Sequence, residues 1–125
     1  MKIMTKASEL GIKAMVALSR DDNPVANKNL AKEIGCSIAH LSKVLQSLRR
    51  RGLIVSVRGP HGGYKIDGVA AMTAAQVVEA VDGNGFRRGP GRKPSKDLYK
   101  VMISQIERAV SETLDMYDIS HLALS

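Results

Sequence analysis

Three features of this 125-residue chain predict a mainly α-helical fold with one small β-hairpin, followed by a long C-terminal helix. Apolar residues recur at helical spacing in several stretches, and two short strand-like segments flank the turn Gly59-Pro60-His61-Gly62-Gly63. The last quarter of the chain carries an apolar 4–3 repeat. A mass of 13.5 kDa allows one modest core, so the chain is read as a single folded unit. Apolar residues at 44% and charged residues at 25% lie near the globular average, which excludes wholesale disorder and fibrous architectures.

The elements follow in order. After Thr5, the spacing of Leu10, Ala14, Ala17 and Leu18 predicts a first helix over 6–19, which Asp21-Asp22-Asn23-Pro24 breaks. Lys28 to Ile34 is a short second helix, Gly35 closes it in a left-handed conformation, and Ser37 caps a third. In that third helix Ile38, Leu41, Leu45 and Leu48 are expected to form one apolar stripe, leaving His40, Lys43, Gln46, Ser47 and Arg50 opposite. Gly52 ends it. Leu53, Val55 and Val57 then alternate with Ile54, Ser56 and Arg58 as a strand, and Tyr64-Lys65-Ile66 returns as its partner. Two short helices joined by a glycine turn and followed at once by a hairpin read as a winged helix-turn-helix, assigned to residues 1–83.

Thr73 with Gln76 three residues on makes a capping box ahead of Val77, Val78 and Val81, and Gly83 stops that helix. Residues 84–96, rich in Gly, Pro and basic side chains, read as an exposed loop and solvated linker, with contact to DNA phosphates as the other reading. Residues 97–125 are assigned to a dimerisation helix and tail. From Ser95 to about Asp118, Tyr99, Ile103, Ile106, Val110, Thr113 and Tyr117 fall 4, 3, 4, 3 and 4 apart, the seam of a helix pair. A helix of roughly 22 residues is about 33 Å long, more than this domain can bury alone.

Charge separates the function classes. Nineteen Lys and Arg stand against twelve Asp and Glu, and no acid occurs between Glu33 and Asp67, where Lys43, Arg49, Arg50, Arg51, Arg58 and Lys65 lie. Such a run suggests a polyanionic partner. Aromatic residues are only 3%, too few for single-strand binding by rows of stacked rings. The start of the chain has no apolar stretch of signal-peptide length, and nowhere do eighteen apolar residues run together, so a soluble cytoplasmic protein that does not engage membranes is expected. A single cysteine, Cys36, excludes an internal disulfide and a four-thiolate metal site. His40, His61 and His121 sit in unrelated segments and there is no phosphate loop, so neither an enzyme nor a cofactor or metal site is expected.

The basic run coincides with the helix-turn-helix. A helix fits the major groove, and Ser37, His40, Lys43 and Gln46 are types suited to base edges and phosphates there: Gln pairs with adenine, Lys with guanine. Solubility alone also produces a polar face, but it does not explain the lack of carboxylates; neutralising phosphates does. Arg58 and His61 stand at the hairpin tip, where a cation can enter a narrow minor groove and glycines allow close backbone approach. Cys36, in the turn before the third helix, reads as a small packing group, with a redox thiol as the second reading, since oxidation would push a polar group into the turn that aims the helix. The function expected is a sequence-specific regulator of transcription, a repressor binding double-stranded DNA as a homodimer on an inverted repeat. The alternative is a winged-helix module that docks protein or RNA.

The stretch Ser56-Val57-Arg58-Gly59-Pro60-His61-Gly62-Gly63-Tyr64, with Leu30-Ala31-Lys32-Glu33-Ile34-Gly35-Cys36-Ser37 and the opening Met4-Thr5-Lys6, resembles the Rrf-two family of bacterial regulators. The likeness runs from residue 1 to about 120, including the long helix and a final Ile119-Ser120-His121-Leu122. It implies homodimers on DNA, with Ser37, His40, Lys43 and Gln46 in the groove. It also implies minor-groove contacts by Arg58, Gly59 and His61, and places Thr5 and Lys6 near phosphates. Two departures stand out. Most members have glycine where this chain has His61, and cluster-binding members carry three cysteines before the long helix, where Asn84 to Ser95 holds neither cysteine nor histidine. The sensing chemistry of those members is therefore not expected here.

Overall fold

A computed structural model describes residues 4–67, 72–82 and 97–124; Gly83 and the expected loop 84–96 lie outside them, as does the side chain of Tyr99. The elements are α1 (Lys6–Ser19), α2 (Asn27–Ile34), α3 (Ile38–Arg50), β1 (Ile54–Val57), β2 (Gly63–Ile66), α4 (Ala74–Asp82), α5 (Leu98–Asp115) and α6 (Ile119–Leu124). The mainly helical class and the single hairpin are as the sequence predicts.

Local chemistry places the helix-turn-helix. The Thr5 hydroxyl accepts from Ser8 N at 3.1 Å and starts α1. Gly35 ends α2 at φ 82°, where a side chain would strain the backbone, and its N–H donates to Ala31 O at 2.8 Å. Ser37 then starts α3, its Oγ accepting from His40 N at 3.1 Å. α1 is the centre of the core: Leu10, Ala14, Met15 and Leu18 meet Leu30 of α2, Leu41, Leu45 and Leu48 of α3, Val77 of α4 and Ile119 of α6, all buried.

α1 and α4 approach closely at Gly11. A Cβ there would stand 2.8 Å from Val81 Cγ2 and 3.3 Å from Val77 Cγ1, and valine side chains in a helix have little rotamer freedom with which to yield. Gly11→Ala gains about 1 kcal/mol of helix propensity but overpacks this contact by about 2 kcal/mol. The expected result is a net loss of about 1 kcal/mol, read as a lower urea midpoint at unchanged slope.

β1 and β2 pair antiparallel, with Ile54 opposite Ile66 and Val57 opposite Gly63. A third segment joins them: Val25 N donates to Tyr64 O at 2.9 Å and Tyr64 N to Val25 O at 2.8 Å. Gly63 is what permits this, because a Cβ on it would lie 2.3 Å from the Val25 carbonyl carbon. The chain between α1 and α2 therefore holds β2 where it leaves the wing turn, a contact the sequence pattern did not indicate.

Three expectations need correction. Ile38 does not belong to the core stripe; it is 49% exposed, and Val44 at 2% takes the place. Side chains on a helix lean toward its N-terminus, so a first-turn residue overhangs the preceding turn instead of the core below. On β1, Ile54 enters the core, while Val55 and Val57 are exposed, because the small sheet covers the core only at its base. The long helix ends early: α5 stops at Asp115, short of Asp118, and Tyr117, counted on the seam, lies beyond it. There the backbone leaves the helix to pair with the start of α4, Ala74 N donating to Tyr117 O at 3.0 Å and Ile119 N to Met72 O at 2.8 Å. Burial of Ile119 then holds α6 against α1. The capping box forms as expected, with Thr73 N donating to Gln76 Oε1 at 2.9 Å and Gln76 N to Thr73 Oγ1 at 3.3 Å.

Candidate nucleic-acid interface

The buried residues Leu41, Val44, Leu45 and Leu48 lock one side of α3 onto α1 and turn the other to solvent. That free side carries Ala39, Lys43, Gln46 and Arg50, three or four residues apart and all exposed. Ser37 is exposed at the helix start; its oxygen is used in capping, and its hydroxyl proton remains free to donate. His40 is half-buried. Past the end of α3, Arg58, Gly59 and His61 are all exposed at the wing. The wing tip is a tight turn closed by Gly62 N donating to Gly59 O at 3.0 Å, with Pro60 and His61 at its centre.

Among the described residues, no ion pair engages Lys43, Arg49, Arg50, Arg51 or Arg58. With no acid from Ile34 to Ile66, the recognition helix and wing form a face of uncompensated positive charge.

Thr5 and Lys6 lie differently. Besides capping α1, Thr5 Oγ1 donates to Asp82, within 3.0 Å of one carboxylate oxygen and 3.1 Å of the other, and the buried Ser8 hydroxyl donates to the same carboxylate. The Lys6 ammonium is 3.9 Å from Glu9, both exposed, a weak pair that leaves the charge available. Sequence reasoning missed Asp82 entirely, and it sits 74 and 77 residues from its partners.

Cys36 is half-buried in the turn before α3 and packs against the core, its N–H donating to Ala31 O at 3.0 Å.

α5 meets the domain through Ser111, which is buried, and through Asp115, whose carboxylate accepts from Thr73 Oγ1 at 3.1 Å. The opposite side carries the seam: Ile103, Ile106 and Val110 are half-buried, Thr113 is exposed, and the neighbouring Met102 is 46% exposed. No described helix is long and apolar enough to cross a membrane.

A helix-turn-helix with a β-wing and a basic outer face defines a winged-helix regulator of transcription, of the DNA-binding kind. The chain belongs to the Rrf2 family, whose model, described as an iron-dependent transcriptional regulator, matches residues 4–124. The HTH-type transcriptional regulator IscR of Vibrio cholerae is 30% identical over 148 residues, covering 98% of this chain and 85% of that protein. IscR of Vibrio campbellii is 33% identical over 115 residues, covering 82% and 68%. Against other curated relatives the chain spans about half their length. Among solved structures, Staphylococcus aureus CymR in its oxidized form superposes with a TM-score of 0.78 at 27% identity, covering 98% of this chain and 96% of that one. CymR of B. subtilis, at 24% identity and a TM-score of 0.80, shares the fold.

The family description names iron, so the donor set matters. Iron sites draw on thiolate, imidazole and carboxylate. Cys36 is the only cysteine, and segment 84–96 contains no Cys, His, Asp or Glu. Among the described residues no three such groups cluster to hold a metal. These residues do not fit an iron–sulphur cluster. Purified without air, the protein is expected to be colourless and free of stoichiometric iron, and its DNA affinity should not respond to chelators. A visible thiolate-to-iron absorption with stoichiometric iron would overturn this.

Proposed function

We propose that the chain is a homodimeric repressor that binds an inverted-repeat operator, placing α3 in the major groove and the wing on the adjacent minor groove. The observation that carries this reading is the uncompensated basic face shared by α3 and the wing. Lys43 and Arg50 neutralise phosphate, the Ser37 hydroxyl donates to phosphate at the helix start, Lys43 also reaches guanine, Gln46 offers a donor and an acceptor to adenine, and His40 stands at the edge of the face. Arg58, Gly59 and His61 meet the minor groove, and Thr5 and Lys6 approach the backbone at the start of α1. Ile103, Ile106, Val110 and Thr113 of α5 pair with their copies across a two-fold axis, so two α3 helices face successive major grooves. Occupying a promoter in this way excludes polymerase. Selection of bound fragments from random duplex DNA tests the reading: enrichment of an inverted repeat supports it, and failure to enrich any duplex overturns it.

A further inference from the structure

The first turn of α3 presents an apolar pair that the described residues leave open to solvent. Ile38 is 49% exposed, and Ala39 beside it is exposed as well. Their surroundings are cationic and polar: Lys43, Gln46 and Arg50 continue the line of Ala39 along the helix, and no carboxylate occurs anywhere from Ile34 to Ile66. A polyanion fits that rim, yet neither phosphates nor base donors and acceptors interact favourably with an isoleucine side chain. The apolar group that duplex DNA displays in its major groove is the C5-methyl of thymine.

We propose that Ile38 and Ala39 determine specificity by taking up a thymine methyl in each half-site, an assignment that rests on α3 occupying the major groove. The first turns of a recognition helix are the part that reaches base edges, and side chains there lean toward the N-terminus and over the end of the helix. Ser37 holds this turn, its Oγ accepting from His40 N at 3.1 Å, and Gly35 sets the angle at which the chain enters it. The pair is thus presented on a fixed surface. Thymine gains contact with both side chains and sheds water. Cytosine in the same place lacks the methyl and offers an amino donor, for which neither Ile38 nor Ala39 has a side-chain acceptor. Hydrogen bonding is left to Lys43 and Gln46, so apolar and polar readout are divided between the first turn and the second.

Deoxyuridine differs from thymidine only by that methyl, which allows a test on the unmodified protein. In the operator recovered by selection, each thymine is replaced singly by deoxyuridine and binding is titrated. One position per half-site is expected to bind about fourfold more weakly, the effect of one buried methyl group. Ile38→Ser should bind the thymine and uracil operators equally, while Lys43→Ala should keep the thymine preference. Silence at every uracil, or a preference that survives both Ile38→Ser and Ala39→Ser, overturns the inference while leaving DNA binding intact. Failure of the unmodified protein to recover any operator overturns the groove reading instead.

Discussion

Ile106→Asp combined with Val110→Asp is expected to yield monomers and to weaken binding to a two-half-site operator by about a hundredfold or more. Both residues lie on the side of α5 turned away from Ser111 and Asp115, which hold the helix to its own domain. Their half-buried apolar surface continues into Met102 and Thr113. Four carboxylates per dimer facing each other across such a seam would be unpaired and desolvated, a cost association cannot meet. Losing the dimer removes the linkage between two weak half-site contacts, which is worth roughly two to four orders of magnitude. Sedimentation reports the assembly and operator titration the affinity, with far-ultraviolet circular dichroism confirming that the helices persist. A double variant that sediments and binds like the unmodified protein would remove α5 from the interface.

Lys43→Ala and Gln46→Ala are each expected to cost about 1–3 kcal/mol on the preferred operator and to relax base preference at the positions they read. With the wing on the minor groove and backbone, as proposed, Arg58→Ala should weaken binding with less change at major-groove bases. Salt separates the roles. Removing a phosphate contact lowers the slope of log affinity against log salt by about one, whereas removing Gln46, which is uncharged, leaves the slope as it was. Equal losses on operator and random duplex for all three variants would make these side chains phosphate anchors only.

What could be read in the sequence was what neighbours in the chain decide together. The Thr73–Gln76 capping box, the left-handed Gly35 and the Ser37 cap each depend on residues at most a few positions apart, and all three form. The basic face was legible for a related reason: exposure on α3 follows from its own periodicity once Leu41, Leu45 and Leu48 are buried. Contacts between distant segments left no such trace. Asp82 looks like an ordinary surface acid at the end of a helix until the fold sets it beside Thr5 and Ser8. The break after Asp115 is dictated by the pairing of Tyr117 and Ile119 with Met72 and Ala74, while the apolar 4–3 spacing runs through it undisturbed. Ile38 counted toward a stripe on spacing alone, and only its place at the end of the helix shows why it stays outside.

The return of α6 to α1 bears on how the protein is made. Ile119 completes the cluster built around Leu10, Ala14 and Leu18, and Arg20 Nε donates to Ala123 O at 3.0 Å across 103 residues. Closure over so long a stretch is slow, because the entropy of bringing the ends together is lost before the contact forms. While the nascent chain emerges, the helix-turn-helix segments are available early, but the α1 surface meant for Ile119 stays bare until that residue has been added, at about 5–20 residues per second. During that interval the chain presents a greasy patch next to a strongly basic face. Chaperone holding, or crowding on nucleic acid before folding is complete, would act on that intermediate and not on the finished domain.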